Sequence, residues 1–247
     1  MAWTSRSITN HRVTPSNQQV RALKVLAFFA GLGPLLNLVW KAIHILPWTS
    51  DIGYIARGAE RWNLGANPIE VITRATGKAT LILLLVTLAI TPVRKLIGQP
   101  WLIRFRRMAG LFAFFYGSLH FLTYIWLDKF FDVHEMLADI AKRKFITVGF
   151  TAFVLLIPLA ITSTSGWIRR MGGKRWHRLH QLIYVTAVLG IFHFLWLVKF
   201  DIRRPVKYGA VLGVLLVYRI VIWGFEKVRE TRERQTIAQP RTTVPQA

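Results

Sequence analysis

The sequence contains no cysteine and only 11 acidic residues among 247. Without thiols, the chain cannot form disulfides, thiolate-held iron–sulfur clusters, thiolate-ligated haem, cysteine-type zinc sites or a covalently attached c-type haem. Any haem must therefore be held non-covalently. Because 33 lysine and arginine residues face so few acids, the formal net charge is +22. In a soluble protein that charge would indicate a nucleic-acid partner.

The basic residues flank long apolar runs instead of forming one continuous face, so we expect no nucleic-acid partner. Hydrophobic residues make up 53% of the chain and charged residues only 18%. This balance is typical of a protein that crosses a lipid bilayer several times. Membrane topology and attraction to anionic lipid then account for most of the positive charge.

Six apolar segments approach the roughly 20 residues that a helix needs to span the hydrocarbon core of a bilayer. They lie at residues 22–45, 75–91, 109–127, 145–162, 176–198 and 205–225. The sequence therefore predicts an all-α integral membrane protein, a six-transmembrane-helix bundle with no separate soluble domain. We expect residues 1–20 to form a cytoplasmic N-terminal tail, residues 21–225 the transmembrane domain, and residues 226–247 a cytoplasmic C-terminal tail.

The lysine and arginine content of the short loops predicts the orientation of the bundle. Residues 92–108 and 163–175 carry several basic side chains and no acid, whereas residues 128–144 balance acids against bases. The first two loops should be cytoplasmic and the third should face outward, which puts both termini in the cytoplasm. The basic turn at residues 199–207 disagrees with this scheme, but two strong loops outweigh it. The outward-facing segments 128–144 and 199–207 are candidate contacts for a partner protein.

Three histidines lie inside apolar segments, namely His120 in the third and both His180 and His193 in the fifth. An imidazole in hydrocarbon is costly unless it is paired, bound to a metal or part of a proton path. His180 and His193 are about 20 Å apart along a helix, so they cannot share one iron. His120 and His193 fall at similar depth on two helices that run in the same direction. Two such imidazoles predict the axial ligands of a bis-histidine haem.

Other roles for these histidines stay open at this point. A single intramembrane histidine most often hydrogen-bonds a neighbouring helix or a water, and it is the matched pair that favours haem. Small residues near the pair, Gly117, Ser118 and Gly190, would let a porphyrin edge approach the backbone. His180 could ligate an inner haem, alternate with another ligand or bind a propionate. A non-redox transporter is the alternative, although its path would usually contain buried acidic or lysine side chains.

Basic residues on the cytoplasmic side are candidates for binding haem propionates or a flavin phosphate, because charge-assisted hydrogen bonds suit such oxyanions. The candidates are Arg106, Arg107, His177 and Arg178. Docking of an acidic electron donor is a second functional interpretation of the same residues. The simpler interpretation is that the positive charge sets the membrane topology.

Three segments resemble the MsrQ (YedZ) family of haem-binding membrane subunits, which belongs to the ferric-reductase-like transmembrane group that includes NADPH oxidases. The segments are TGKATLILLLVTLAITPVRKLIG, RFRRMAGLFAFFYGSLHFLTYIWLD and LAITSTSGWIRRMGGKRWHRLHQLIYVTAVLGIFHFLWLVK. The resemblance implies b-type haem, flavin mononucleotide (FMN) and electron delivery to a periplasmic molybdopterin methionine sulfoxide reductase at the bacterial inner membrane. The family's histidines fall on His120, His180 and His193.

The chain departs from the NADPH oxidases, which carry two histidines on each of two helices. Arg106 stands fourteen residues before His120, where that comparison expects a second histidine. The chain also lacks the flavin and nicotinamide domain of those oxidases, so electrons must come from a cytoplasmic flavin reductase or from membrane quinol. We predict an electron-transfer subunit without catalytic residues of its own. A ferric or quinol-linked reductase of the same fold is the alternative.

Overall fold

The structure, a computed structural model, describes residues 15–43, 67–198 and 201–238. Within these residues the chain forms helices and no strands. The nine α-helices are α1 (Asn17–Ile43), α2 (Pro68–Ile97), α3 (Ile103–Leu122), α4 (Val133–Lys142), α5 (Lys144–Ile161), α6 (Ser165–Met171), α7 (Gly173–His180), α8 (Leu182–Leu197) and α9 (Arg203–Ala238).

Six helical segments of the described chain are long and apolar enough to cross a membrane, which confirms the predicted fold class. They are Asn17–Ala42, Pro68–Ile97, Pro100–Asp128, Lys144–Ile161, Gly173–Leu197 and Arg203–Glu233. The second span is longer than its apolar run because both ends are capped. Asn67 accepts a hydrogen bond from the backbone of Glu70 at the start, and Gly98 adopts a left-handed conformation with φ 66° at the end.

The last helix also continues past its apolar run, to Ala238. Residues 226–238, which we assigned to a tail, are therefore helical, and an ion pair of 2.8 Å joins Glu226 to Lys95 at the end of α2. The sequence of this extension alternates acidic and basic residues, as in a solvated helix, and Arg229 pairs with Glu233 four residues later. In the segment 199–207, which is expected to contact a partner, residues 199 and 200 lie outside the described residues and α9 begins at Arg203.

Four helices form the core of the bundle. Helix α2 packs along α3, α3 contacts α5, α5 packs along α8, and α8 closes the ring against α2. Helix α9 covers α2 and α8 from outside, and the buried side chains of Leu88, Ala187 and Leu212 meet there. On the lipid side the bundle is apolar, as Val214 at 70% and Ile220 at 67% exposure illustrate. An apolar exterior is what hydrocarbon solvates best.

A buried tyrosine of α3 forms two hydrogen bonds to the backbone of helix α1. Tyr116 of α3 is fully buried, donates a hydrogen bond of 2.7 Å to the carbonyl of Gly31, and accepts one of 3.1 Å from the backbone of Leu35. Those two backbone groups would bond each other in a regular helix, so the hydroxyl is inserted into the helical ladder. The same helix, α3, carries His120 one turn further on.

Candidate haem-binding site

The structure brings His120 of α3 and His193 of α8 together in the bundle core. Their ring centroids are 6.0 Å apart and their planes meet at 81°. Matched depth predicted this proximity from the sequence. Their partners, Thr73 in the second turn of α2 and Phe145 in the first turn of α5, place the pair near one end of the bundle. By the predicted orientation this is the periplasmic end.

Each ring donates its Nδ1 hydrogen to a backbone carbonyl of a neighbouring helix. His120 binds the carbonyl of Thr73 at 2.9 Å, and His193 binds that of Phe145 at 2.7 Å. A carbonyl can only accept, so Nδ1 carries the proton in both neutral rings. The lone pair is then on Nε2, the nitrogen available for a metal.

The pair fits the axial coordination of one haem iron. Two metal–nitrogen bonds of about 2 Å, each extended by about 1 Å to the ring centre, separate two axial imidazole centroids by about 6 Å. The observed 6.0 Å agrees with this spacing. Among the described residues no three histidine or acidic side chains cluster as metal ligands. A pair falls short of a structural zinc site, which takes four protein ligands, whereas a porphyrin supplies the four equatorial nitrogens itself.

His180 lies apart from this pair, at the opposite end of the bundle. It ends α7, its Nε2 lies 3.0 Å from the hydroxyl of Thr162, and its ring stacks on Trp176 with centroids 4.0 Å apart. Seventeen residues separate Phe145, the partner of His193, from Thr162. That interval is about 26 Å of helix. His180 therefore cannot complete the His120–His193 site, as the sequence analysis concluded.

The end of the bundle opposite the histidine pair, which is the inner end by the predicted orientation, contains a cationic cluster that we define by Arg106 of α3 and Arg219 of α9. The Arg219 guanidinium lies over the ring of Tyr184 at 5.0 Å and donates hydrogen bonds to its hydroxyl at 2.5 Å and to the carbonyl of Leu88 at 2.9 Å. Its Nε is buried and has no hydrogen-bond partner among the described residues. Arg106 is within electrostatic range of Arg219 and of His180.

Within the part of the chain that the structure describes, no carboxylate neutralises this cluster. Among the described residues, neither guanidinium forms an ion pair with an acid. Charges inside a membrane protein are normally paired, because an unpaired one is costly in a low-dielectric environment. Arg106 is among the residues predicted from the sequence, whereas Arg219 is not. The signal was available, since Arg219 is a lone arginine inside the apolar run VLLVYRIVIW.

The other three basic candidates lie elsewhere. Arg107 is exposed on α3. His177 and Arg178 are exposed on α7 and line an open surface depression together with Lys174 and Trp176. The structure therefore separates the four candidates into one half-buried residue, Arg106, and three surface residues. The surface position of the three agrees with the topological and docking interpretations as well as with ligand binding.

Two of the small residues expected to face a porphyrin have packing neighbours instead. A side chain at Gly117 would meet Thr80 and Leu156 at 3.6 and 3.7 Å, and one at Gly190 would meet Leu81 at 3.8 Å. These are ordinary van der Waals distances between packed helices. The hydroxyl of Ser118 bonds the carbonyl of Phe114 within α3. None of these three contacts involves the histidine rings.

The loop at residues 128–144 is built around one buried lysine. Lys129 is only 7% exposed and pairs with Glu135 at 2.5 Å and with Asp139 at 2.8 Å. Asp139 also pairs with Arg143 at 3.1 Å. The hydrogen bond from Lys129 holds the pKa of the Asp139 carboxyl below its ordinary value, and the bonds to Asp139 and Glu135 raise the pKa of Lys129. The acidic and basic side chains that balance in this segment therefore form a packed network of ion pairs.

Six spans around a paired-histidine core define a helical membrane protein that crosses the bilayer several times and could hold a metal cofactor. A sequence profile of the family described as "Ferric reductase like transmembrane component" matches residues 76–191.

 Of the core helices, α3 and α5 lie wholly inside the matched range, while α2 and α8 each extend beyond it by several residues.

Haem-binding subunits named MsrQ, of protein-methionine-sulfoxide reductase, match over most of the chain. The subunit from Herminiimonas arsenicoxydans is 52% identical over 215 residues, which cover 86% of this chain and 90% of that protein. The one from Ralstonia nicotianae is 48% identical, with 86% and 91% covered, and the one from Azospira oryzae is 44% identical, with 94% and 91% covered. The chain belongs to the MsrQ family.

Proposed function

We propose that this chain carries electrons across the bacterial inner membrane to a periplasmic molybdopterin methionine sulfoxide reductase, and so supports repair of oxidised periplasmic proteins. Membership of a family of haem-binding reductase subunits supports a redox membrane subunit. The single observation that carries the proposal is the facing pair His120 and His193, at the spacing of two axial ligands. In this proposal the pair holds one b-type haem.

The residues of the site would bind and orient the haem, which when bound supplies reversible one-electron chemistry at its iron. Nε2 of His120 and of His193 would face the metal, because Nδ1 of each ring is committed to a carbonyl. The surrounding apolar helices exclude water and lower the dielectric around the iron. These features tune a reduction potential through burial and ligand basicity.

The cationic cluster at the inner end is the proposed entry point for electrons. An anionic group, either a haem propionate or the phosphate of FMN, would supply the negative charge that Arg106 and Arg219 lack. Electrons would come from a cytoplasmic flavin reductase or from quinol. Arg107, His177 and Arg178 are exposed on the same side of the protein and would bind the phosphate or the donor less directly.

The inner and outer sites are far apart. Fifteen residues of α2 separate Thr73, the partner of His120, from Leu88, the partner of Arg219. That is about 22 Å along the helix axis. His180 lies at the same end of the bundle as Arg106, within electrostatic range of it, and would be a third functional histidine there, as a ligand of an inner haem or a partner of its propionate.

Reconstitution tests the proposed direction of electron flow. The full chain, loaded with haem in lipid nanodiscs, is reduced and then mixed with the periplasmic reductase and a methionine sulfoxide peptide. The proposal predicts that, in the absence of oxygen, the haem reoxidises fully when reductase and peptide are both present, whereas reductase alone takes up no more electrons than its own cofactor can hold. Reoxidation by a ferric chelate, with no response to the reductase, would contradict the proposal and favour a metal-ion reductase of the same fold.

A further inference from the structure

Two glycines lie directly against the histidine rings. A Cβ atom built on Gly149 of α5 would come within 2.5 Å of Nδ1 and 2.8 Å of Cε1 of His193. A Cβ atom on Gly77 of α2 would come within 3.0 Å of Cε1 and 3.1 Å of Nδ1 of His120. Both contacts are shorter than ordinary packing distances. Beside an alanine at position 149 the His193 ring would have to shift, and beside one at position 77 the His120 ring would have to move by a few tenths of an ångström.

The two glycines occupy equivalent positions. Gly77 follows Thr73 by four residues, and Gly149 follows Phe145 by four residues. Thr73 and Phe145 supply the carbonyls that accept the Nδ1 hydrogens. In an α-helix, side chains lean toward the N-terminus, so a side chain at position i+4 covers the region around the carbonyl of residue i. Glycine at i+4 leaves that carbonyl open to a ring from the next helix.

Other helical glycines do not have this role. A Cβ atom on Gly33 of α1 or Gly213 of α9 would meet nothing within 4 Å. Gly31 of α1 also lies close to a ring, since its Cβ atom would come within 2.7 Å of Phe112, but that ring carries no metal-binding nitrogen. Close contact with a histidine ring is found, among the described glycines, at Gly77 and Gly149. It occurs once between α2 and α3 and once between α5 and α8, which are different pairs of helices with the same spacing of acceptor and glycine.

We infer that Gly77 and Gly149 are positioning residues, which admit each imidazole to a backbone carbonyl and thereby fix Nδ1 as the donor and Nε2 as the metal-facing nitrogen. The inference rests on the proposed function, because it takes His120 and His193 as axial ligands. A partner on the second nitrogen fixes the tautomer and orientation of a ligating histidine and raises its basicity. Here glycine makes that partner accessible.

The test compares Gly77→Ala and Gly149→Ala with the control Gly213→Ala in the full chain, expressed with ample haem. Haem per polypeptide, the low-spin spectrum and the reduction potential are measured for each. We expect haem affinity to fall roughly 10- to 100-fold in the two site variants and to stay unchanged in the control. Gly149→Ala should be the more severe change because its contact is shorter. Any remaining haem should have a higher potential, since its ligands are less basic.

Alanine favours helix more than glycine does, so helix propensity would not explain a loss of haem. A double-mutant cycle separates the ring contact from a general loss of folding. In the haem-free protein, Gly149→Ala should lower the thermal midpoint when His193 is present and not in the His193→Ala background, where no ring is in the way. Equal lowering in both backgrounds would overturn the inference.

The failure of this inference is distinguishable from failure of the proposed function. If the wild-type chain binds haem and both alanine variants match Gly213→Ala in haem content, spectrum and potential, the glycines do not position the ligands. If the wild-type chain itself acquires no haem, the proposed function fails, and the thermal cycle in the haem-free protein still decides whether the glycine accommodates the ring.

Discussion

The ring of His120 stands nearly perpendicular to the ring of His193, at 81°, with 6.0 Å between the ring centroids. The hydrogen bonds that hold this arrangement come from two different helices, through the carbonyls of Thr73 and Phe145. Neither ring can rotate about its Cβ–Cγ bond without breaking its bond to the carbonyl. We therefore expect the relative orientation of the two planes to persist when iron is bound.

Electron paramagnetic resonance of the oxidised protein tests this orientation. Perpendicular axial imidazoles give a strongly anisotropic low-spin ferric signal, whereas parallel planes give a rhombic one. We predict the strongly anisotropic signal. A rhombic low-spin spectrum would mean that the rings turn on haem binding, and a high-spin spectrum would mean that one of them is not a ligand.

His180→Ala should leave the haem at the outer site in place. Its imidazole contacts Thr162 and Trp176 at the inner end, about 26 Å along the bundle from the partner of His193. The low-spin signal should therefore persist in the variant, while reduction from the cytoplasmic side becomes slower. A loss of the outer signal as complete as in His120→Ala would contradict the separation of the two sites.

Arg219→Gln should destabilise the bundle and weaken anion binding at the inner end. The change removes hydrogen bonds to Tyr184 and Leu88 that join α9 to α8 and α2. Hydrogen bonds between membrane helices contribute about 1–2 kcal/mol, so the thermal midpoint should fall. FMN should bind less tightly, while riboflavin, which lacks the phosphate, should be unaffected.

Arg107→Gln is the matched control, because Arg107 is exposed on α3 and one residue from Arg106. It should leave the thermal midpoint unchanged. An equal loss of FMN affinity in both variants would show that general positive charge, and not the cationic cluster, attracts the flavin. An equal loss of riboflavin affinity in Arg219→Gln would show that the phosphate is not the group recognised.

The ion-pair network at Lys129 should make stability depend on pH. The depressed pKa of Asp139 contributes stability that is full above the ordinary value near 4 and is lost as the pH falls through the depressed pKa. The raised pKa of Lys129 contributes stability that is full below about 10.4 and is lost as the pH rises through the raised pKa. The thermal midpoint should therefore be flat near neutrality.

Asp139→Asn should remove the acid-side dependence and lower the free energy of unfolding by about 3 kcal/mol, because it leaves Lys129 buried with one partner fewer. Asp201→Asn is the control, because Asp201 is largely exposed and its ion pair with Arg204 is long, at 3.7 Å. Thermal midpoints measured from neutral pH down through the acid range below about 4 give the comparison. The same acid-side slope in wild type and in Asp139→Asn would contradict the assignment.

The spans and the histidine pair were predictable because each depends on features that the sequence displays directly. Apolar runs of the right length predict membrane helices, and the lengths between loop and histidine place His120 and His193 at one depth. The glycines that pack against each histidine ring could not be predicted from the sequence in the same way. Gly77 and Gly149 lie more than forty residues from the histidines that they contact, and only the packing of α2 on α3 and of α5 on α8 brings them together.

Arg219 is the opposite case. The sequence shows a lone arginine in an apolar run, but it does not show which residues that arginine contacts. A lone arginine in an apolar run indicates a functional or packing role. Its hydrogen-bond partners Tyr184 and Leu88 are 35 and 131 residues away. The sequence gives no means of finding partners at such distances without the arrangement of the helices. Lys129 was likewise counted as one charge of a neutral loop, although it is buried among acids.

The most direct test of the central claim is the reduced-minus-oxidised absorption spectrum of the full chain and of three histidine variants, all purified after haem-replete expression. The account predicts low-spin b-type haem bands in the wild type, their loss in both His120→Ala and His193→Ala, and their retention in His134→Ala, whose histidine is exposed on α4. Haem bands that survive unchanged in either His120→Ala or His193→Ala would contradict it.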